Sequence, residues 1–424
     1  MRTYFFCFTL CVLALLGVGC ARGDGAAPEA VRSIPPSPPP PECRAVDSFR
    51  ERLRSEGRDP ASHGIYVEAL NDHSVLACSN EAVLYNPASV VKVATSLAAL
   101  DALGQDHRFV TEFRAVGELD KEKGLLNGDL ILLSGRDPSF SITDARVVGD
   151  ALRQLGVRRV TGDLVVVGAF NCNENSQTDV SAGVFRRQSR VPVSGRTRFE
   201  DGPASPVAKP GRLLFRLESD RLLDIIKFQN AYSVNSMADM LASHFGGTEG
   251  VRRFLIEKIG INAQEVCLSA ASGLDFNRLS AKSTVGILRT LVEWCNSRGI
   301  APDAVMPVAG IESSTLSDRF TEAAYAGSVV AKTGTLHFTD GGVASLAGIA
   351  YTAGHGPVLF TLYDMAGGRG VEHLRRLQDD FLKDLMAELG GPDTRSSNHN
   401  PTESPRETRK PLSRLLFPSD QNSD

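Results

Sequence analysis

The chain has 424 residues, of which 42% are hydrophobic and 23% are charged. Its 46 Lys and Arg residues against 50 Asp and Glu residues give a net charge of −4, which is unlike the basic character of a typical nucleic-acid-binding protein. This length predicts two or three domains with a large apolar core. Seven of the 22 prolines lie within 28–41 and five lie after residue 390, so we expect a compact body between two unfolded ends.

Residues 1–20 are predicted to be an export signal. Arg2 precedes the uncharged apolar run 5–19, which is too short for a mature membrane-spanning helix. Cys20 directly follows small residues, an order that resembles the lipobox of bacterial lipoproteins, in which the cysteine is acylated. Gly17 stands where that motif usually has Leu, so plain secretion and an unmodified Cys20 stay open as alternatives. We expect an exported protein at the periplasm or cell surface, anchored to a membrane by a lipid on Cys20.

The segments that flank the body lack apolar periodicity. Residues 21–42, rich in Ala and Pro, are predicted to form an extended tether, and residues 391–424 a disordered tail. Between them, one domain is predicted from 43–106 together with 222–390, and it is split by an inserted domain over 107–221.

Three of the eight cysteines, Cys7, Cys11 and Cys20, belong to the export signal. The five that remain are Cys43, Cys78, Cys172, Cys267 and Cys295. An odd number leaves at least one free thiol, and no C-x-x-C pair indicates zinc or redox chemistry. A disulfide between Cys43 and Cys78 is expected to tie the tether to an early strand.

The apolar pattern of the body predicts helices and strands in blocks. Before the insertion it predicts a helix over 46–57, strands over 64–70 and 74–78, and a mostly buried helix over 89–103. Within the insertion it predicts strands over 108–116, 129–133 and 159–167 and a helix over 144–155, followed by a polar stretch over 171–206. After the insertion it predicts helices over 237–245, 250–259 and 283–296, strands over 328–331, 342–351 and 357–365, and a last helix over 371–389. This order indicates an α+β fold, an antiparallel sheet flanked by helices with a smaller inserted domain.

Three short motifs stand in order along the chain. Ser89-Val-Val-Lys92 is S-x-x-K, Ser233-Val-Asn235 is S-x-N, and Lys332-Thr-Gly334 is K-T-G. This set is found in active-site serine β-lactamases and penicillin-binding proteins. Each motif alone is weak, since S-x-N recurs at 396–398, but their order and context carry weight: the first opens an apolar helix after two strands, and the third enters the terminal strand pair. The chain has no G-x-S-x-G, H-E-x-x-H, G-x-G-x-x-G or G-x-x-x-x-G-K motif.

The spacing of these residues suits acyl transfer. Positions i and i+3 share a helix face, so Lys92 can reach Ser89 and, with its pKa lowered by burial, take the hydroxyl proton. The first turn of the helix also offers unpaired N–H groups to an oxyanion. Ser233 can relay a proton to the leaving amine, and Asn235 can hold the peptide backbone. Lys332 with the nearby threonines would offer a cation and hydroxyls to a terminal carboxylate.

Further segments resemble the class C low-molecular-mass penicillin-binding proteins, the D-alanyl-D-alanine carboxypeptidase/endopeptidase family typified by penicillin-binding protein 4. The similar segments are Asn86–Lys92, Gly128–Leu132 with Asp137-Pro138, Thr161–Val166, Ala271–Leu274, Met306–Gly310, Lys332–Leu336 and Ser345–Gly348. They extend over about 60–390, nearly the whole body. The resemblance implies the serine β-lactamase/DD-peptidase (transpeptidase-like) fold.

The resemblance also implies the site and its ligands. It assigns catalysis to Ser89, Lys92 and Ser233, and substrate binding to Asn235, Lys332, Thr333, Gly334 and Thr335, with the N–H groups of Ser89 and Thr335 as the oxyanion hole. The implied substrate is the peptidoglycan stem peptide that ends in D-Ala-D-Ala, cut through an acyl-serine intermediate, and β-lactams are the implied covalent inhibitors. No metal or organic cofactor is suggested.

Three departures from the family pattern stand out. The two motif serines are 144 residues apart, a short distance for a family that usually carries two extra domains there. Val234 occupies a place where Asp is common, and Gly168-Ala169 replaces an expected acidic residue. The choice between carboxypeptidase and endopeptidase substrates therefore stays open.

Two alternative functions compete with a DD-peptidase. A serine β-lactamase of class A needs an E-x-x-L-N element, and the nearest match, 122–127, is out of register by one residue. A catalytically silent, peptidoglycan-binding lipoprotein of the same fold is the other alternative, which the three intact motifs disfavour. His337 follows the K-T-G segment closely, and we expect it to be a solvated turn residue rather than part of the site.

Overall fold

The computed structural model describes residues 42–202, 211–394, 407 and 410–418. The predicted export signal, the acylated Cys20 and almost all of the predicted tether lie outside these residues. In the part of the chain that is described, no helix is both long enough and apolar enough to cross a bilayer.

Helices and strands alternate in blocks along the described residues. The helices are α1 (Arg44–Ser55), α2 (Val91–Leu103), α3 (Ile142–Gln154), α4 (Thr178–Gln188), α5 (Leu222–Tyr232), α6 (Asn235–Ser243), α7 (Gly247–Glu257), α8 (Ala281–Asn296) and α9 (Glu372–Glu388). The strands are β1 (His63–Ala69), β2 (Val75–Ser79), β3 (Leu84–Tyr85), β4 (Val110–Asp120), β5 (Leu125–Leu133), β6 (Arg159–Val160), β7 (Leu164–Val167), β8 (Thr197–Glu200), β9 (Arg212–Glu218), β10 (Leu279–Ser280), β11 (Val329–Leu336), β12 (Val343–Thr352), β13 (Gly356–Met365) and β14 (Arg414–Leu416).

A five-stranded antiparallel sheet with the order β11-β12-β13-β1-β2 lies at the centre of the molecule. Side chains alternate between its faces. Ile65 and Phe360 pack on one face against α1 and α9, while Tyr66 and Tyr363 belong to a second core on the other face, which includes α2 and α8. Both faces are covered by helices, which is why every residue of β1 is buried.

A lobe of helices packs on the second face of this sheet. Residues of α2, α5, α6, α7 and α8 share one apolar core. Ten consecutive residues of α2, 91–100, are buried, and three of them, Lys92, Thr95 and Ser96, are polar. A three-residue 3-10 turn, Ala88–Val90, leads directly into α2, so the predicted helix over 89–103 begins as a tighter turn.

The insertion forms most of a separate sheet with the order β14-β9-β4-β5-β7-β8, in which β14 comes from the C-terminal tail and β6 lies beside β5. Helices α3 and α4 cover one of its faces, where the rings of Phe113, Phe185 and Phe215 stack. Ser141 and Asp144 form a capping box at the start of α3, so the helix begins where two unpaired N–H groups are satisfied. The molecule thus has the predicted α+β architecture, an antiparallel sheet flanked by helices and a smaller inserted domain.

Three segments before α6 contain more structure than the sequence predicted. The polar stretch 171–206 includes α4 and β8, 212–218 forms β9, and 222–232 forms α5. Helix α4 buries only Ser181, Ala182 and Phe185, so its apolar periodicity is too weak to stand out from a loop. Strands β5, β7 and β8 pair in parallel, a pairing that joins segments distant in the chain.

The prediction of disorder throughout 391–424 is wrong for the described part of the tail. Strand β14 pairs antiparallel with β9 at the edge of the inserted sheet. Leu415 and Phe417 pack against the core of the insertion, and the Phe417 ring lies 6.0 Å from that of Phe215. A short apolar segment gains order here because an open strand edge is available to it.

The predicted Cys43–Cys78 disulfide is also wrong. Both thiols are free. Cys43 packs in the core on the α1 and α9 side of the central sheet and lies 3.4 Å from Glu388 Oε2, whereas Cys78 packs against the core on the other side. The sheet therefore separates the two sulfurs.

Candidate active site

The first motif places a hydroxyl beside an amine at the start of α2. Ser89 lies on the 3-10 turn and Lys92 on the first turn of the helix, and Lys92 Nζ donates to Ser89 Oγ over 2.9 Å. The turn is held by Asn86, whose Oδ1 accepts from the N–H of Ala88 at 3.0 Å and whose Nδ2 donates to Asp340 Oδ2 at 2.7 Å. The serine is therefore presented on a braced turn.

Lys92 is completely buried behind Ser89. Besides the serine, its amine donates to Asn235 Oδ1 and to the carbonyl of Ser272, both at 2.6 Å. Burial lowers the pKa of Lys92 to about 7, and the Asp239 carboxylate opposes part of this shift. A large fraction of the amine is thus neutral near physiological pH, which is the state that can accept a proton from a hydroxyl.

The second and third motifs meet across the same cleft. Helix α5 ends at Ser233, which adopts a left-handed backbone conformation with φ 58° and ψ 40°. Lys332 on β11 donates to Ser233 Oγ at 2.9 Å and to the carbonyl of Thr333 at 2.7 Å. Lys332 is fully buried, and burial with the nearby Lys92 lowers its pKa well below its usual value. The left-handed backbone conformation of Ser233, a non-glycine residue, is strained by about 1–3 kcal/mol, which fits a functional position.

Strand β11 turns alternate side chains toward different neighbours. Thr333 Oγ1 donates to Thr315 Oγ1 at 2.7 Å, and Thr335 Oγ1 accepts from Arg375 Nη2 at 2.9 Å. At Gly334 a side chain would face the opposite side of the strand, where a Cβ atom would lie 2.5 Å from Ser345 Oγ and 2.7 Å from the carbonyl oxygen of Pro87. The strand and the serine turn therefore approach each other at a distance that only glycine permits.

A cavity of about 650 Å³ gives access to this cluster. Ser89, Ser233, Thr333 and Thr335 line one part of it, and residues of the loop 314–319 and of α9 line the rest. Lys92, Asn235 and Lys332 stand behind the serines instead of lining the cavity. The predicted residues are thus brought together, with the serine and threonine hydroxyls at the cavity and Lys92, Asn235 and Lys332 on the far side of the two serines.

The structure adds partners that the motifs did not predict. Asp239 Oδ1 accepts from the N–H of Ser272 at 2.9 Å and so holds the carbonyl that contacts Lys92. Ser272 lies in the segment Ala271–Leu274, which resembles the family, but no motif indicated that its carbonyl would contact Lys92. Thr315 and Arg375 reach the cleft from distant parts of the chain, and nothing in the sequence pointed to either.

The element that would support a β-lactamase lies in the inserted sheet and not in the lining of this cavity. Residues 122–127 form the turn between β4 and β5 and the first part of β5, where Asn127 pairs with Glu118 in the inserted sheet. None of these residues lines the cavity beside Ser89. The near-match to E-x-x-L-N therefore carries no deacylation machinery.

A larger cavity, about 1170 Å³, lies along the inserted sheet and includes His107, Arg136 and His244. None of the residues in the three motifs lines it. We place the candidate site in the smaller cavity because the residues of the three motifs converge there: Ser89, Ser233, Thr333 and Thr335 line it, and Lys92 and Lys332 contact the two serines.

The D-Ala-D-Ala carboxypeptidase 3 (S13) family model matches residues 48–180 and 197–381, which include all three motifs. The chain belongs to the S13 peptidase family. The resemblance to the family of penicillin-binding protein 4 is thereby confirmed, and residues 181–196, which the family model does not match, fall within the polar stretch of the insertion.

Relatives of this S13 chain agree with that membership. A D-alanyl-D-alanine carboxypeptidase of Actinomadura sp. (strain R39) is 40% identical over 127 residues, and the match spans 28% of this chain and 22% of the relative. The Bd3459 predatory endopeptidase of Bdellovibrio bacteriovorus has a TM-score of 0.67 at 19% identity, over 81% of this chain and 97% of that chain. Penicillin-binding protein 4 of Haemophilus influenzae has a TM-score of 0.64 at 20% identity, over 81% and 99%. The solved structures show that the fold is shared.

Proposed function

We propose that this S13 chain is a serine D-Ala-D-Ala carboxypeptidase that also cuts D-Ala cross-links in peptidoglycan. The observation that carries the proposal is the 2.9 Å contact between Ser89 Oγ and a buried Lys92 amine with a pKa near 7, within a cleft that Thr333 and Thr335 line. Family membership and the Actinomadura relative support the same substrate class.

Acylation begins when the neutral Lys92 amine takes the hydroxyl proton of Ser89. The serine oxygen attacks the carbonyl carbon of the penultimate D-Ala, and the N–H groups of Ser89 and Thr335 hold the resulting oxyanion. Collapse of this intermediate breaks the peptide bond, leaving an ester on Ser89 and a free amine on the departing residue. Water then hydrolyses the ester and returns the serine.

Ser233 is the proposed donor to the leaving amine. Its hydroxyl accepts from Lys332, whose burial keeps that lysine from binding ligands directly. The proton that Lys92 took from Ser89 replaces the one that Ser233 gives to the leaving amine, so Lys92 is neutral again after acylation. Asn235 Oδ1 accepts from the Lys92 amine and keeps it aimed at Ser89. The two lysines thus act on two hydroxyls, one for attack and one for departure.

The bond that is cut can be identified by mass spectrometry. The purified protein is incubated with a stem pentapeptide and with cross-linked muropeptide dimers, and we expect loss of one D-Ala from the first and conversion of the second to monomers. Ser89→Ala should abolish both reactions, with a loss on the order of 10⁴-fold or more in kcat, because no acyl-enzyme can form. Ser317→Ala, a change in the same cavity at a serine that bonds only within its own loop, should stay within a few-fold of wild type.

Labelling by fluorescent penicillin separates the alternatives. A DD-peptidase should give a lasting label that disappears in Ser89→Ala, while rapid turnover of nitrocefin without lasting label would indicate a β-lactamase. If neither substrate nor penicillin reacted, the protein would be a silent binding protein of this fold. Equal labelling of wild type and Ser89→Ala would rule out Ser89 as the nucleophile.

We further propose that the chain is exported and anchored to a membrane through a lipid on Cys20. The support is the sequence alone: the apolar run 5–19, the small residues before Cys20 and the Pro-rich segment 21–42 as a spacer. Metabolic labelling with a palmitate analogue should mark the wild type and not Cys20→Ser. An unlabelled, freely released wild type would support plain secretion instead.

A further inference from the structure

One arginine stands at the cleft wall beside the K-T-G strand. Arg375 lies one turn into α9, and its Nη2 donates to Thr335 Oγ1 at 2.9 Å. It lines the same cavity as Ser89 and Ser233, and 38% of its side chain is exposed. Its guanidinium is therefore both fixed to the strand and open to a ligand.

The lysine of the K-T-G motif, by contrast, is not open to a ligand. Lys332 is 0% exposed, and its amine is engaged with Ser233 Oγ and with the carbonyl of Thr333. Because side chains alternate along a strand, Lys332 and Gly334 face the serine turn, whereas Thr333 and Thr335 face the side from which α9 approaches. The threonine hydroxyls thus meet a cation from α9 and not from their own motif.

The other arginines that line the cavity are differently engaged. Arg319 is nearly buried, and its guanidinium is held by Asp379 and Gln378. Arg376 contacts the ring of His373 at 3.2 Å on the exposed side of α9. Arg375 pairs with Glu372 at 2.8 Å, but that carboxylate is 70% exposed, so the pair is weak and a ligand can compete for the guanidinium.

We propose that Arg375 binds the terminal carboxylate of the substrate together with the hydroxyls of Thr333 and Thr335, and that it makes the enzyme selective for a free carboxylate. This role rests on the proposed peptidase function. A guanidinium offers two parallel N–H donors to a carboxylate, a geometry that an ammonium group cannot match. The Thr335 hydroxyl, already bonded to Nη2, adjoins the place where one carboxylate oxygen would lie.

Two substrates with the same scissile bond test the role directly. One is a stem-type peptide that ends in D-Ala-D-Ala with a free acid, and the other is its C-terminal amide. In Arg375→Ala, kcat/KM for the free acid should fall on the order of 10²-fold, mostly through KM, while kcat/KM for the amide stays within a few-fold. Arg375→Lys should recover part of the lost selectivity. Arg376→Ala, one position along the same helix and without a Thr335 contact, should leave both values near wild type.

The outcomes distinguish this role from a structural one. Activity on the amide shows that each variant is folded. An equal fall in kcat/KM for both substrates would mean that Arg375 only positions Thr335, and unchanged kcat/KM for both would place the cation elsewhere. Either result overturns the proposal. If the wild type cut neither peptide, the proposed function would fail, and the Arg375 role would be decided by Ser89 acylation with benzylpenicillin and its methyl ester. Arg375→Ala should then slow only the free acid.

Discussion

The site contains two lysines whose side chains are excluded from solvent. Lys92 and Lys332 are each fully buried, and the charge of one disfavours the charge of the other. Desolvation makes the protonated form costly and lowers the pKa of both amines. Placed among charged partners on a surface, the same lysines would stay protonated and could not accept a serine proton. Burial therefore suits Lys92 to the proposed role of base, and Asp239 limits how far its pKa falls.

Removal of the Asp239 charge should shift the pH dependence of acylation. With Lys92 as the base, kcat/KM should rise with pH and level off above about 7. Asp239→Asn keeps an acceptor for the N–H of Ser272 but removes the anion that stabilises the ammonium form, so the pKa of Lys92 falls further. The midpoint should move about 0.5–1 pH unit toward acid. The measurement is the rate of Ser89 acylation between pH 5 and 9.

An exposed acid on the same helix provides the control for this shift. Asp101 is exposed near the end of α2, so Asp101→Asn should leave the midpoint unchanged. A midpoint that moved toward alkaline pH in Asp239→Asn, or that moved equally in both variants, would show that Asp239 does not stabilise the protonated Lys92.

Two elements fix the geometry of the cleft by direct backbone approach. Strand β11 passes the 3-10 turn at Gly334, and Ser345 on the neighbouring strand β12 donates to the carbonyl of Pro87 at 2.7 Å. Gly273, with φ 83°, approaches the carbonyl of Ala88 from the other side. The nucleophile is thus held between a strand and a loop that leave no room for a side chain.

A methyl group at position 334 should disturb this contact. Gly334→Ala would push against Ser345 Oγ and the carbonyl of Pro87, so the strand or the serine turn has to move. We expect the free energy of unfolding to fall by about 1–3 kcal/mol and Ser89 acylation to slow at least tenfold. Denaturant unfolding and penicillin labelling measure the two effects.

Gly286 provides a matched glycine on α8. A Cβ atom there would meet nothing within 4 Å, and the residue lies inside a regular helix. Gly286→Ala should therefore raise the free energy of unfolding by about 0.5–1 kcal/mol and leave acylation unchanged. If Gly334→Ala behaved like this control, the close approach would not constrain the site.

The C-terminal part of the chain contributes to both sheets of the molecule. Helix α9 packs on the central sheet, while β14, further along, completes the edge of the inserted sheet beside β9. Leu412, just before β14, donates its N–H to Asp220 Oδ2 at 3.4 Å, near the point where the chain leaves the insertion. The described part of the tail therefore covers an edge of the insertion, and none of its residues lines the cleft.

A chain that ends after residue 394 should lose protection only in the insertion. Without β14, the outer edge of β9 is exposed, and the apolar contacts of Leu415 and Phe417 are lost. Amide hydrogen exchange in β9 should accelerate about tenfold or more, equivalent to roughly 1–2 kcal/mol, while exchange in α2 and β11 and the labelling of Ser89 stay unchanged. Arg414→Ala removes only an exposed ion pair with Glu218 and should have little effect. Unaltered exchange in β9 after truncation would contradict this account of β14.

The class of fold and the motif residues that meet at the cleft could be predicted from the sequence alone. Blocks of apolar periodicity predicted most strands and helices. Ser89 and Lys92 could be paired because residues three positions apart lie on the same face of a helix. Alternation along a strand is equally local, although the predicted strand over 328–331 ended before the K-T-G motif and β11 continues to Leu336. These are local relations, set by one turn or by two successive residues.

Relations between distant segments could not be read in the same way. Helix α5, α4 and strand β14 escaped prediction because their order comes from packing against other elements, and the Cys43–Cys78 disulfide was wrong because only the sheet shows that it separates the two sulfurs. The burial that lowers the pKa values of Lys92 and Lys332 likewise arises from the assembled core. So does the contact between Arg375 and Thr335, 40 residues apart in the chain, because a side chain's environment depends on which elements fold against it.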